Sequence, residues 1–148
     1  MDPLNQSFAA DVRNSFARQS MMRLIGADLS VVEPGVVEII LPYRADLTQQ
    51  NGYLHAGIVT AIADTASGYA AYSLMPAGSA VLSVEFKVNL LRPATGETFR
   101  ARAEVIKAGK TLTAVRADVF ALTGGKQTLV ATMLATMICL ASASAART

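Results

Sequence analysis

Residues 50–75 read QNGYLHAGIVTAIADTASGYAAYSLM, and one carboxylate in that run limits what the chain can become. From Gly57 to Leu74 the pattern predicts a helix that is apolar or small on every side, with Asp64 as its only charged residue. Such a helix belongs inside a core or a membrane. At helical pitch Ile58, Ile62, Thr65, Tyr69 and Tyr72 fall on one face, and Gly57, Thr60, Ala61, Asp64, Ser67, Gly68 and Ala71 on another. A carboxylate in that setting is costly unless it is paired, hydrogen-bonded or used chemically. The small residues around it leave room for a second backbone or a ligand. His55, the only histidine of the chain, stands just before the helix.

Asp64 at mid-length, among Ala, Gly, Ser and Thr, argues for a buried helix of a soluble protein over a membrane span. The 148 residues suit one domain, 1–148, with a sizeable core. An apolar share of 52% against 16% charged excludes disorder and hints that some surface is covered in an oligomer. The 13 basic and 11 acidic residues are scattered, leaving no basic patch for a nucleic acid. Cys139 is the only cysteine, so no internal disulfide can form; a buried inert thiol in a reducing compartment is expected. One His and one Cys give poor prospects for a metal site, and none is expected. Arg13, Arg18 and Arg23 are spaced as in a transit peptide, but Asp2 and Asp11 argue against one, and the start lacks a signal-peptide pattern. The expected location is cytoplasmic.

Along the chain, residues 5–23 predict one amphipathic helix with Phe8, Val12 and Phe16 on a face, stopped by Gly26. Residues 1–26 thus form an N-terminal helical extension. Leu29–Glu33 and Val36–Leu41 read as strands joined by Pro34-Gly35. After the long helix, a strand alternates Leu82, Val84, Phe86, Val88 and Leu90 against Val81, Ser83, Glu85, Lys87 and Asn89. Strands near 97–107, 111–123 and 127–140 follow, the last apolar on both faces and therefore internal. These four strands are expected as an antiparallel meander whose final strands leave an edge for a second copy. The tail 141–148 is expected to be flexible. One apolar helix and one sheet satisfy each other if the sheet wraps the helix.

His55-Ala56-Gly57, Asp64 nine residues after the histidine, and Ser67-Gly68-Tyr69-Ala70 resemble the signature of hotdog-fold acyl-CoA thioesterases, of the PaaI (phenylacetyl-CoA thioesterase-like) type. Ser83-Val84-Glu85-Phe86-Lys87, Asn89-Leu90-Leu91-Arg92-Pro93 and Gly109-Lys110-Thr111 extend the likeness over roughly 30–140. The resemblance implies an α+β fold, an antiparallel sheet wrapped around a long central helix, and hydrolysis of an acyl- or aryl-acyl-CoA. It implies Asp64 as general base or nucleophile and the N–H of Ala56, with Gly57 beside it, as oxyanion donor. It also implies His55 positioning the thioester with Ser83 near it, and a site shared across a homodimer, paired further into a tetramer. Coenzyme A enters only as part of the substrate; no separate cofactor is implied. Thr65, Ser67, Gly68, Val84, Arg92 and Lys110 complete the expected substrate-binding set.

Independent physics agrees with part of this. Free N–H groups at a helix N-terminus suit a carbonyl that gains negative charge. Nine residues of helix separate His55 from Asp64 by about 13 Å along the axis, so the two do not easily meet at one carbonyl, and completing the site from a partner chain resolves the distance. The chain departs from the family pattern at Ala56, where many relatives have glycine. It departs again at Gln49, where many have the asparagine that holds water; Gln50 and Asn51 stand close by as alternatives. Two other readings share the same helix: a hydratase or dehydratase of acyl thioesters, and a non-catalytic acyl-CoA binding protein.

Overall fold

The computed structural model describes residues 1–141; the tail expected over 141–148 lies outside these residues apart from Ala141. Two short helices, α1 (Phe8–Ala17) and α2 (Ser20–Ile25), lead into a hairpin of β1 (Asp28–Glu33) and β2 (Val36–Pro42). A 3₁₀ turn at Ala45–Leu47 precedes α3 (Ala56–Tyr72), and β3 (Ala80–Leu90), β4 (Thr98–Ala108), β5 (Leu112–Thr123) and β6 (Lys126–Leu140) complete the chain. Among the described residues no helix is long and apolar enough to cross a membrane.

The single helix expected over 5–23 is broken at Arg18–Gln19, and geometry gives the reason. Val12 and Ile25 are both buried, at 0% and 2% exposure. On one straight helix at 100° per residue they would point roughly 140° apart. The break lets both reach the core. Gly26 then ends α2 in the left-handed region, with φ of +80°.

All six strands form one antiparallel sheet in the order β1-β2-β4-β5-β6-β3. The four-strand meander of the sequence reading is therefore corrected. Only β4, β5 and β6 form a meander, while β3 pairs with β6 at the far edge. The helix causes this. Its 17 residues span about 26 Å and carry the chain across the sheet, over the roughly 19 Å that separate β2 from β3. The free edges are accordingly β1 and β3, and β6 is internal.

Val59, Ile62, Ala63, Ala66, Tyr69 and Ala70 form the buried stripe of α3. It lies on the alternating inner residues Ile39, Phe99, Ala101, Ala103, Ala117, Val119, Ala131, Met133 and Ala135. The many alanines let the sheet close tightly on the helix. Ser67 and Ala71 belong to this buried side and not to the face of Asp64. Gly57, Thr60, Ala61, Asp64, Thr65, Gly68 and Tyr72 form the opposite, partly open side. At the end of α3, Ser73 Oγ donates to Ala70 O at 2.7 Å and accepts from Gly35 N–H at 2.8 Å, tying the first hairpin to the helix.

Ile62 has no exposed surface and sits at the centre of the helix–sheet contact. Ile62→Ala is expected to lower unfolding stability by about 2–5 kcal/mol, read as a shift of the urea midpoint with unchanged slope.

Candidate active site

Asp64 and Ser83 are brought together by an irregularity in β3. Residues Ala131, Met133, Ala135 and Met137 of β6 face the helix, so their register partners Leu90, Val88, Phe86 and Ser83 do too. Ser83 shares that face with Phe86 only because a bulge between Ser83 and Glu85 inserts Val84 as an extra residue. The uninterrupted alternation predicted for this strand is thus incorrect: Val81 and Ser83 point inward, and Leu82 points outward with Glu85 and Lys87. The inward Ser83 Oγ donates to Asp64 Oδ1 at 2.6 Å. A hydroxyl held on a carboxylate fixes its orientation. The serine expected near His55 therefore stands on Asp64 instead.

His55 is the N-cap of α3. Its Nδ1 accepts from Gly57 N–H at 2.8 Å, which leaves the neutral ring's proton on Nε2. His55 N–H donates to Leu47 O and Leu54 N–H to Ala94 O, anchoring the loop from both sides. This corrects one expectation: the N–H of Gly57 is occupied by the imidazole and is not a free oxyanion donor. A Cβ on Gly57 would meet Nδ1 at 3.0 Å, so glycine lets the ring cap the helix this closely. Ala56 N–H finds no acceptor among the described residues and remains the one open donor of that pair.

Two cavities hold these groups. One, of about 450 Å³, lies between α3, the start of β3 and the α1–α2 corner; Asp64, Thr65, Gly68, Tyr72 and Ser83 line it. The second, of about 390 Å³, lies at the other end of β3, lined by Gln49, Ala56, Leu90, Arg92 and Ala94 among others. Of the three candidate amides only Gln49 lines a cavity. Its Oε1 accepts from Asn51 N–H, and Gln50 and Asn51 sit on the exposed turn. Arg92 Nη1 donates to Leu129 O at 3.0 Å.

The remaining substrate candidates separate. Thr65 and Gly68 line the Asp64 cavity, and Val84 is the exposed bulge residue. Ser67 is corrected: it is fully buried, and its hydroxyl donates to Ala63 O within the helix at 2.8 Å, so it faces the core. Lys110 lies in the exposed β4–β5 turn and lines neither cavity. Sequence reasoning missed Ser15, Arg18 and Gln19, which the broken N-terminal helix brings to the Asp64 cavity. Ser15 Oγ and Gln19 Nε2 reach the Tyr69 hydroxyl at 3.0 and 3.1 Å. Burial raises the Tyr72 phenol above its ordinary pKa, Asp11 adds to that, and Arg18 opposes it. Among the described residues no group of three His, Cys, Asp or Glu is arranged to hold a metal ion.

The capping role of His55 is separable from chemistry. His55→Ala is expected to cost about 1 kcal/mol of stability, and His55→Asn, a strong cap, to recover most of it, both measured by urea unfolding.

The family model described as "Thioesterase superfamily" matches residues 51–128, more than half of the chain. A solved thioesterase family protein from Silicibacter pomeroyi is 52% identical with a TM-score of 0.90, covering 91% of this chain and 99% of that one. The E. coli PaaI protein from the phenylacetic acid degradation operon is 20% identical with a TM-score of 0.84, over 94% and 97% of the two chains, a likeness of fold. A Halobacterium salinarum protein that carries the name esterase is 29% identical over 109 residues, 70% of this chain and 72% of that protein. The sheet wrapped on α3 is the hotdog fold.

Proposed function

Because the chain belongs to the thioesterase superfamily and is a thioester hydrolase, we propose that it hydrolyses acyl-CoA thioesters in a site completed by two copies of the chain. The observation that carries this reading is the separation of the two half-sites along β3. Asp64 and Ser83 stand at the strand's Ala80 end, and Ala56 N–H and Gln49 at its Leu90 end. Ser83 and Leu90 are about 23 Å apart along an extended strand. The strand is a free edge and bears exposed Leu82, Val84, Phe86 and Leu90, at 58%, 53%, 42% and 55%. An apolar open edge of that length calls for a partner strand. Two-fold antiparallel pairing of β3 with itself sets the start of one strand beside the end of the other. Each Asp64 cavity then meets the Ala56 cavity of the second copy.

In such a site the thioester carbonyl oxygen points at Ala56 N–H, the free donor at the positive end of α3. Asp64, held by Ser83, either takes a proton from water or attacks the carbonyl carbon itself. The tetrahedral centre collapses, the C–S bond breaks and the CoA thiolate leaves, taking up the proton that water gave. Where Asp64 itself attacked, water then hydrolyses the acyl–Asp64 anhydride, which frees the acid and restores the carboxylate. Gln49 lines the donor side and is the amide placed to orient water or thioester. Arg92 on the same rim offers a cation for the phosphates of coenzyme A. Hydration of an unsaturated thioester would call on His55 as base, and its Nδ1 is engaged with Gly57 N–H, which favours hydrolysis.

Thiol release from a panel of acyl-CoAs tests the reading. Asp64→Asn is expected to lower kcat by at least about a hundredfold while remaining folded; activity equal to wild type would refute the role. Ala56→Pro removes the N–H alone, since proline suits the first helical position and His55 already has the extended ψ of 137° that precedes proline. Its kcat is expected to fall by about a hundredfold with helix content unchanged by circular dichroism.

A further inference from the structure

The N-terminal helices lie outside the matched residues 51–128, yet they build one wall of the catalytic cavity. We propose that this wall selects the acyl group, and that Arg18 binds a carboxylate at the far end of the acyl chain, making ω-carboxyacyl-CoA thioesters the preferred substrates. The inference deepens the proposed thioesterase reading and rests on it.

The cavity has a direction. Asp64 marks the reacting end. One turn on, Gly68 offers open space: apart from its chain neighbours and its own helix backbone, nothing lies within 4 Å of where a Cβ would stand. Two turns on, Tyr72 closes the helix side, about 12 Å from Asp64 along the axis. Arg18 is the one cationic residue lining this cavity. Its exposed side chain adjoins Gln19, whose amide reaches the hydroxyl of Tyr69, five residues beyond Asp64 on α3, so it stands on the rim away from the reacting end. Asp64 is the one carboxylate lining it.

Arg18 forms no ion pair among the described residues, neither with Asp64 nor with Asp11, which instead accepts from Asn5 Nδ2 at 2.7 Å. Ser15 and Gln19 beside it are turned to the Tyr69 hydroxyl, so their polar groups are engaged with the protein. An exposed guanidinium on the rim of an open cleft beside Gly68 suits a planar anion, and a carboxylate matches its fork. A plain alkyl chain would reach Arg18 and Gln19 without an anion to pair with the guanidinium. The anion comes from the acyl chain, because coenzyme A leaves from the thioester sulfur on the other side of the carbonyl.

The test compares kcat/KM for octanoyl-CoA and octanedioyl-CoA in wild type, Arg18→Ala and Arg18→Lys. Wild type is expected to favour the ω-carboxy substrate by about tenfold or more, Arg18→Ala to lower that ratio about tenfold, and Arg18→Lys to retain part of it. A wild-type preference for octanoyl-CoA overturns the proposal. So does an Arg18→Ala loss that is equal for both substrates, which would assign Arg18 to coenzyme A. If no thioester releases thiol, the parent reading fails by itself. Calorimetric binding of free octanedioate against octanoate then decides on Arg18: tighter octanedioate, weakened in Arg18→Ala, supports it, and equal binding overturns it.

Discussion

A carboxylate on an otherwise apolar helix is the condition around which this protein is arranged. Asp64 can face neither the alanine-rich sheet nor open water without loss: the first strips its hydration, the second removes it from a defined geometry. The chain resolves this by placing it on the partly open side of α3 and giving it one designated donor, Ser83 Oγ. That donor exists only because β3 carries an extra residue. Without Val84 the pleat would turn Ser83 to the outer face and leave Asp64 alone. A one-residue insertion in an edge strand thus sets the geometry of the carboxylate proposed to react.

On the proposed mechanism, the same helix places the second half of the chemistry where its own acid does not reach. The open N–H is at Ala56, the acid eight residues on, and the cavities that hold them occupy opposite ends of β3. A single copy has an exposed apolar edge and, on the proposed mechanism, two half-sites. Pairing of the edge would answer both at once, since the strand that needs covering is the one that carries the halves into register. His55 caps α3 and takes up the Gly57 N–H, which leaves the Ala56 N–H without an acceptor among the described residues.

Much of this was legible in the residues. The long helix, its lone acid, the strand runs and their turns follow from periodicity and from Pro and Gly placement. The bulge was hidden because Leu82, Val84 and Phe86 are all apolar, so the sequence alternates straight through the point where the backbone does not. Strand order was hidden because hydrophobic alternation reports faces and says nothing of neighbours; β3 reaches the far edge through the length of α3. The break at Arg18–Gln19 carries no Gly or Pro and arises from the rotation needed to bury both Val12 and Ile25. Arg18 therefore stood out in the sequence only as one of three arginines spaced as in a transit peptide. Ser67 looked like part of a site because it sits three residues after Asp64, yet its hydroxyl turns back to Ala63 O.

The claim that two copies share each site is tested most directly by mixing inactive partners. Asp64→Asn and Ala56→Pro proteins are denatured together, refolded at equal concentration and assayed for thiol release. Shared sites predict that the mixture recovers about a quarter of wild-type activity, because half of randomly formed two-fold dimers are mixed and each has one intact site. A mixture no more active than the separate variants, with mixed dimers shown to be present by native mass spectrometry, would place both groups in a single chain and contradict the account.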